Sequence, residues 1–103
     1  MSYQNLAPAE FKAAFENNPN AVVIDVRTPV EIASGKISGA LEIDFFAADF
    51  ADKVQKLDKS KAYYMVCRSG NRSGQACAMM SQSGFKDLVN LAGGMMAWEV
   101  AVR

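Results

Sequence analysis

The segment with the clearest chemical potential is Cys67-Arg68-Ser69-Gly70-Asn71-Arg72-Ser73-Gly74. A cysteine is a strong nucleophile only as its thiolate, so a candidate nucleophile needs something nearby that favours the anion. The chain contains no histidine, which excludes a Cys–His pair, a Ser–His–Asp triad and most zinc sites. The activating groups must therefore be backbone amides, a helix N-terminus or basic side chains. This segment offers all three. A short apolar run, Tyr63-Tyr64-Met65-Val66, leads into Cys67, and a helical pattern follows from about Arg72 to Ser83. A cysteine at such a strand-to-helix junction faces the free N–H groups of the first helical turn and the positive end of its dipole.

Gly70 and Gly74 permit a tight backbone path, Asn71 tolerates positive φ, and Ser73 is placed to cap the helix. Arg68 and Arg72 add two positive charges with no acidic residue between them. Together these features predict a Cys67 pKa below the free value of about 8.5. The same donors suit a sulfate-like oxyanion or a persulfide anion. The competing reading is a buried cysteine at a strand end, followed by a solvated Arg-rich turn. The glycine and arginine pattern favours the anion cradle. Four residues, Arg68 to Asn71, separate Cys67 from Arg72. Cysteine-dependent phosphatases have one more residue between nucleophile and arginine, so this loop is expected to be small for a phosphoryl group but adequate for sulfur.

The elements that must hold the loop alternate between strand and helix. Val22-Val23-Ile24 and Tyr63 to Val66 read as strands buried on both faces. Leu41-Glu42-Ile43 and Leu88-Val89-Asn90-Leu91 read as two more, with Tyr3 to Leu6 as a weak fifth. Helical patterns cover about Pro8 to Asn17, with Phe11, Ala14 and Phe15 on one stripe, then Ala47 to Leu57, Arg72 to Ser83 and Met95 to Val100. Such alternation predicts an α/β fold with a mostly parallel sheet covered on both faces. Ligands bind beyond the C-terminal strand ends of such sheets, which points to Asp25-Val26-Arg27 and to Cys67.

The 103 residues fit one domain, 1–103, and about half are apolar. Eleven basic residues balance eleven acidic ones, so no overall field draws the chain to nucleic acid or to an anionic membrane. The N-terminal residues lack the charge and apolar stretch of a signal peptide, and no apolar run is long enough to span a bilayer. With only two cysteines, a reducing, cytoplasmic setting is expected.

Over essentially its full length the chain resembles the single-domain rhodaneses, or thiosulfate sulfurtransferases. The likeness rests on three segments: Val23 to Glu31, continuing through Gly35-Lys36-Ile37-Ser38-Gly39-Ala40; Cys67 to Ser73; and Asn90-Leu91-Ala92-Gly93-Gly94-Met95-Met96-Ala97-Trp98. The resemblance implies a three-layer α/β/α domain with a five-stranded sheet. It also implies a ping-pong reaction in which Cys67 takes a sulfane sulfur from a small sulfur anion, thiosulfate or a polysulfide. The sulfur then passes to cyanide, a thiol or a partner protein, with no metal or organic cofactor. A persulfide carrier with little free turnover is the alternative, and a phosphatase or arsenate reductase the more distant one. Lys36 stands where the family commonly has histidine, which opens an effect on site electrostatics or donor choice.

Other residues have plainer expected roles. Asp25 and Arg27 are expected to brace the site or pair with Glu31, and not to react, because carboxylates oppose thiolate formation. Cys77 reads as buried and inert, with a resolving role as the sharper idea. Trp98 reads as packing a terminal helix or walling the pocket. Met79, Met80, Met95 and Met96 read as core filler, with a pocket mouth for a partner as the alternative. Lys53, Lys56, Lys59 and Lys61 read as a solvated face.

Overall fold

The computed structural model describes residues 2–102. Its strands are β1 (Gln4–Leu6), β2 (Ala21–Asp25), β3 (Leu41–Glu42), β4 (Ala62–Val66) and β5 (Asp87–Leu91). They form one sheet in the order β1-β5-β4-β2-β3, and every pairing is parallel. The helices are α1 (Pro8–Glu16), α2 (Pro29–Ile32), α3 (Phe50–Gln55), α4 (Asn71–Ser81) and α5 (Gly94–Ala101).

The sheet is covered on both faces, so β4 at its centre is buried at every position. Its side chains alternate between two cores, as the period of a strand requires. Tyr63, Met65 and Cys67 join Phe50 and Val54 of α3 and Ala76, Cys77 and Met80 of α4. Ala62, Tyr64 and Val66 join Phe11 of α1 and Met95 of α5 on the other side. The alternation carries Cys67 onto the α4 face, directly before the helix whose first turn it meets.

Two elements differ from the sequence reading. The helix α2 was not anticipated, although Thr28-Pro29-Val30-Glu31 carries its signal. Thr28 Oγ1 accepts from the Glu31 N–H, and the Glu31 carboxylate accepts from the Thr28 N–H, a reciprocal capping box. The helix α3 is shorter than the apolar pattern indicated, because residues 45–49 form turns and a bend before it begins.

The C-terminal end of β2 is organised by a buried ion pair. Arg27 Nε and Nη2 donate to Asp25 Oδ1 and Oδ2 at 2.9 and 2.8 Å, in bidentate geometry. Nη2 also donates to the Gly35 carbonyl at 2.7 Å and Nη1 to the Glu31 carbonyl at 3.4 Å. Arg27 therefore gathers the α2 segment around the strand end. Its contact with Glu31 is to the backbone and not to the carboxylate, which corrects the expected Arg27–Glu31 ion pair. Removing the acid would leave a guanidinium buried without its counter-charge. Asp25→Ala is expected to lower unfolding stability by about 3–5 kcal/mol, read from urea denaturation.

Candidate active site

Cys67 follows the last residue of β4 and is fully buried. Gly70, the residue before α4, adopts φ +96°. Its N–H donates to Cys67 Sγ at 3.1 Å. A Cβ at Gly70 would lie 3.1 Å from the Leu91 carbonyl oxygen, so space and backbone conformation both call for glycine here. Asn71 has helical backbone, and Gly70 alone in this loop takes the left-handed conformation.

Ser73 does not cap the helix. The helix starts two residues earlier, at Asn71, which places the Ser73 side chain within the first turn and beside the sulfur. Its hydroxyl lies 3.3 Å from Cys67 Sγ and 2.5 Å from Asn90 Oδ1. Asn90 Nδ2 donates to the Gly70 carbonyl at 3.1 Å and to Asn5 Oδ1 at 2.9 Å. A carbonyl only accepts, so Gly70 fixes the amide orientation and turns Asn90 Oδ1 toward Ser73. The single Ser73 proton thus has two acceptors, of which an ionised sulfur is the stronger claimant.

Burial pushes the Cys67 thiol up, but hydrogen bonds from the Ser73 hydroxyl and from the N–H groups of Ser73, Gly70 and Ser69 outweigh it. The net direction is downward. The donors are therefore loop amides and one hydroxyl. For Cys77, burial and then the charge on Cys67 push the thiol up to about 12, and both cysteines are free thiols.

The two loop arginines are placed differently. Arg72 Nη1 and Nη2 donate to Glu31 Oε1 and Oε2, both at 2.8 Å, and its guanidinium lies 5.4 Å from the centre of the Phe46 ring. The sequence reading treated both arginine charges as free, but Glu31 neutralises this one. Arg68 is exposed and lines a pocket of about 240 Å³ beside the loop, together with Arg27, Glu31, Met95 and Met96. Ser69 is exposed and contributes its N–H, whereas the Asn71 side chain accepts from Gln75 along the helix.

The helix α5 is bonded to the loop from the other side. The N–H groups of Met95 and Met96 donate to the carbonyls of Cys67 and Arg68 at 2.9 and 3.1 Å. A Cβ at Gly94 would fall 2.3 Å from the Arg68 carbonyl oxygen, a backbone clash that explains this glycine.

Lys36 and Trp98 are not brought to the pocket. Lys36 Nζ pairs with Glu42 at 2.6 Å and donates to the Ala40 carbonyl at 3.2 Å, so a local carboxylate absorbs its charge. Trp98 packs against Phe11 and Phe15, with centroids 6.2 and 6.3 Å away, in the seam between α1 and α5. The methionines divide: Met80 and Met95 are core, Met79 packs at the core's margin, and Met95 and the exposed Met96 line the pocket. The sequence reading also missed Asn90 as a partner of the loop. A polar residue inside the buried run Leu88 to Leu91 was its signal.

These features define an α/β domain that holds a cysteine sulfur in a donor-lined loop at the C-terminal edge of a parallel sheet. The chain belongs to the rhodanese family: the rhodanese-like domain model matches residues 7–101. A putative sulfurtransferase, YtwF, of Bacillus subtilis is 40% identical over 99 residues, covering 96% of this chain and 93% of that protein. The thiosulfate sulfurtransferase GlpE of Pseudomonas aeruginosa is 36% identical over 97 residues, covering 94% and 84%. The crystal structure of a rhodanese-related protein from Thermoplasma volcanium superposes with TM-score 0.84 at 28% identity, covering 97% of this chain and 94% of the other.

Two measurements probe the site. Ser73→Ala is expected to raise the pH at which Cys67 becomes alkylated by iodoacetamide and to slow alkylation at neutral pH several-fold. The Glu31 carboxyl is held at about 2, from an ordinary 4.5, chiefly by hydrogen bonds from Arg72 against the cost of burial. A lowered folded-state pKa stabilises the fold above the ordinary value, and that contribution disappears as pH falls toward the folded value. The pair is partly solvated, with side-chain exposures of 17% and 26%, so about 1–2 kcal/mol is expected. Urea denaturation between about pH 5 and pH 2.5 should show this loss, and Glu31→Gln should remove this component of the pH dependence.

Proposed function

We propose that this protein is a sulfurtransferase that carries sulfane sulfur as a persulfide on Cys67. The observation behind this reading is the fully buried Cys67 sulfur, within hydrogen-bond reach of the Gly70 N–H and the Ser73 hydroxyl. These donors stabilise negative charge on sulfur without histidine. The sulfurtransferase names of its relatives support the same reading.

With thiosulfate as donor, the Cys67 thiolate attacks the outer sulfur. An S–S bond forms to Sγ, the bond between the outer sulfur and the sulfonyl sulfur breaks, and its electron pair leaves with sulfite. A polysulfide reacts in the same way and releases a shorter polysulfide. In the second half-reaction, cyanide or an acceptor thiolate attacks the outer sulfur of the persulfide. The Sγ–S bond breaks, its electron pair returns to Sγ, and the hydrogen bonds of Gly70 and Ser73 receive the restored thiolate. In this half-reaction the acceptor attacks the outer sulfur. Attack there transfers sulfur, whereas attack on Sγ would form a mixed disulfide.

The engagement of Arg72 with Glu31 supports sulfur over phosphoryl chemistry. Its Nη1 and Nη2 donors already hold a bidentate carboxylate, which leaves this guanidinium fewer donors for the oxygens of a phosphoryl group.

Incubation with thiosulfate should add the mass of one sulfur atom to the protein and release one sulfite. Cyanide should then remove that sulfur as thiocyanate. Cys67→Ser should abolish both steps, whereas Cys77→Ser should retain them. Sulfur appearing on the Cys67→Ser protein would overturn the assignment. Persulfide formation with no turnover by cyanide or small thiols would identify a carrier.

A further inference from the structure

The pocket beside the loop has a charge pattern that the chemistry at Cys67 does not require. Four charged side chains line it: Arg27, Glu31, Arg68 and Glu99. Two are neutralised internally, Arg27 by Asp25 and Glu31 by Arg72. Arg68 and Glu99 have no ion pair and no side-chain hydrogen bond among the described residues, and both are exposed. Among the described residues, the cavity therefore offers one cation and one anion without an ion partner.

The two are linked through the backbone. Arg68 follows Cys67, and its carbonyl accepts the N–H of Met96 at the start of α5. Glu99 lies three residues beyond Met96 and four beyond Met95, so all three share one helix face, and all three line the pocket. Met95 and Met96 add thioether and methylene surface to its lining. The volume, about 240 Å³, is below the ~300–1,000 Å³ typical for drug-sized ligands and suits a molecule of amino-acid size.

We propose that this pocket is an acceptor subsite for small zwitterionic thiols, those bearing both an α-ammonium and an α-carboxylate, as cysteine does. Arg68 takes the carboxylate, Glu99 takes the ammonium, and the thiolate is directed at the outer sulfur of the Cys67 persulfide. A small dianion gains from Arg68 but is repelled by Glu99, whereas a dipolar ligand satisfies both. As an assignment of the acceptor, this rests on the persulfide reading of Cys67. The step balances as in the general case: the acceptor thiolate forms an S–S bond to the outer sulfur, and Cys67 leaves as thiolate.

The test compares four thiols of similar size on protein first loaded with persulfide and verified by mass: cysteine, cysteamine, 3-mercaptopropionate and 2-mercaptoethanol. Taking the ratio of variant to wild type for each thiol cancels that thiol's own reactivity. Glu99→Gln should lower kcat/KM for cysteine and cysteamine about fivefold, chiefly through KM. It should leave 2-mercaptoethanol unchanged and improve 3-mercaptopropionate. Glu99→Asp should restore part of the loss. Equal effects on all four thiols, or none, would overturn the proposal.

Binding of the unreactive zwitterion S-methylcysteine provides a readout independent of transfer. It should shift the amide resonances of Arg68, Met96 and Glu99 in wild type and do so more weakly in Glu99→Gln. No shift in wild type would overturn the subsite. Failure of persulfide loading, with binding intact, would instead refute the sulfurtransferase reading and retain the zwitterion site.

Discussion

A sulfur anion with no exposed surface must find its stabilisation inside the protein, and here it has no imidazole to supply it. Desolvation works against the charge, so each donor aimed at Cys67 Sγ has to offset part of that cost. The donors come mostly from the backbone. A loop that turns its N–H groups inward supplies them in a fixed orientation, with little reorganisation when charge appears. The positive φ of Gly70, the early start of α4 and the burial of Ser73 are consequences of that one requirement.

Around this centre the ionic groups are arranged in pairs. Asp25 and Arg27 neutralise each other at the end of β2, and Glu31 and Arg72 neutralise each other across the site. Glu31 has two roles, because its carboxylate also closes the capping box of α2. One short helix thereby becomes the link between the end of β2 and the first turn of α4. The arginine in the loop acts as a tether, and the stabilisation of sulfur is left to hydrogen-bond donors. On the opposite side, α5 bonds the carbonyls of Cys67 and Arg68 through its first-turn N–H groups. The loop is consequently held from both sides, and among the described residues Arg68 and Glu99 are left without an ion partner at the pocket.

Much of this architecture was legible in the sequence because it is encoded locally. The period-2 and helical patterns revealed five strands and four of the five helices. The Cys67 to Gly74 segment revealed a donor-rich turn, since glycine and a strand-to-helix junction act over a few residues. The helix α2 was also written locally, in Thr28-x-x-Glu31, and was missed because it spans only four residues. Local signals failed wherever a side chain had more than one eligible partner. Glu31 was within sequence reach of Arg27, yet its carboxylate binds Arg72, 41 positions away.

By itself the sequence determined the class of fold, the position of the candidate nucleophile and the absence of a histidine to activate it. These depend on residue type, short-range periodicity and the order of elements. Tertiary structure decided which charges remain free. Pairing requires side chains to meet in space, and the β2–β4–β5 register and the seating of α5 set those meetings. That packing put Arg72 on Glu31, Trp98 into the α1–α5 seam and Asn90 behind Ser73, and left Arg68 and Glu99 facing the pocket.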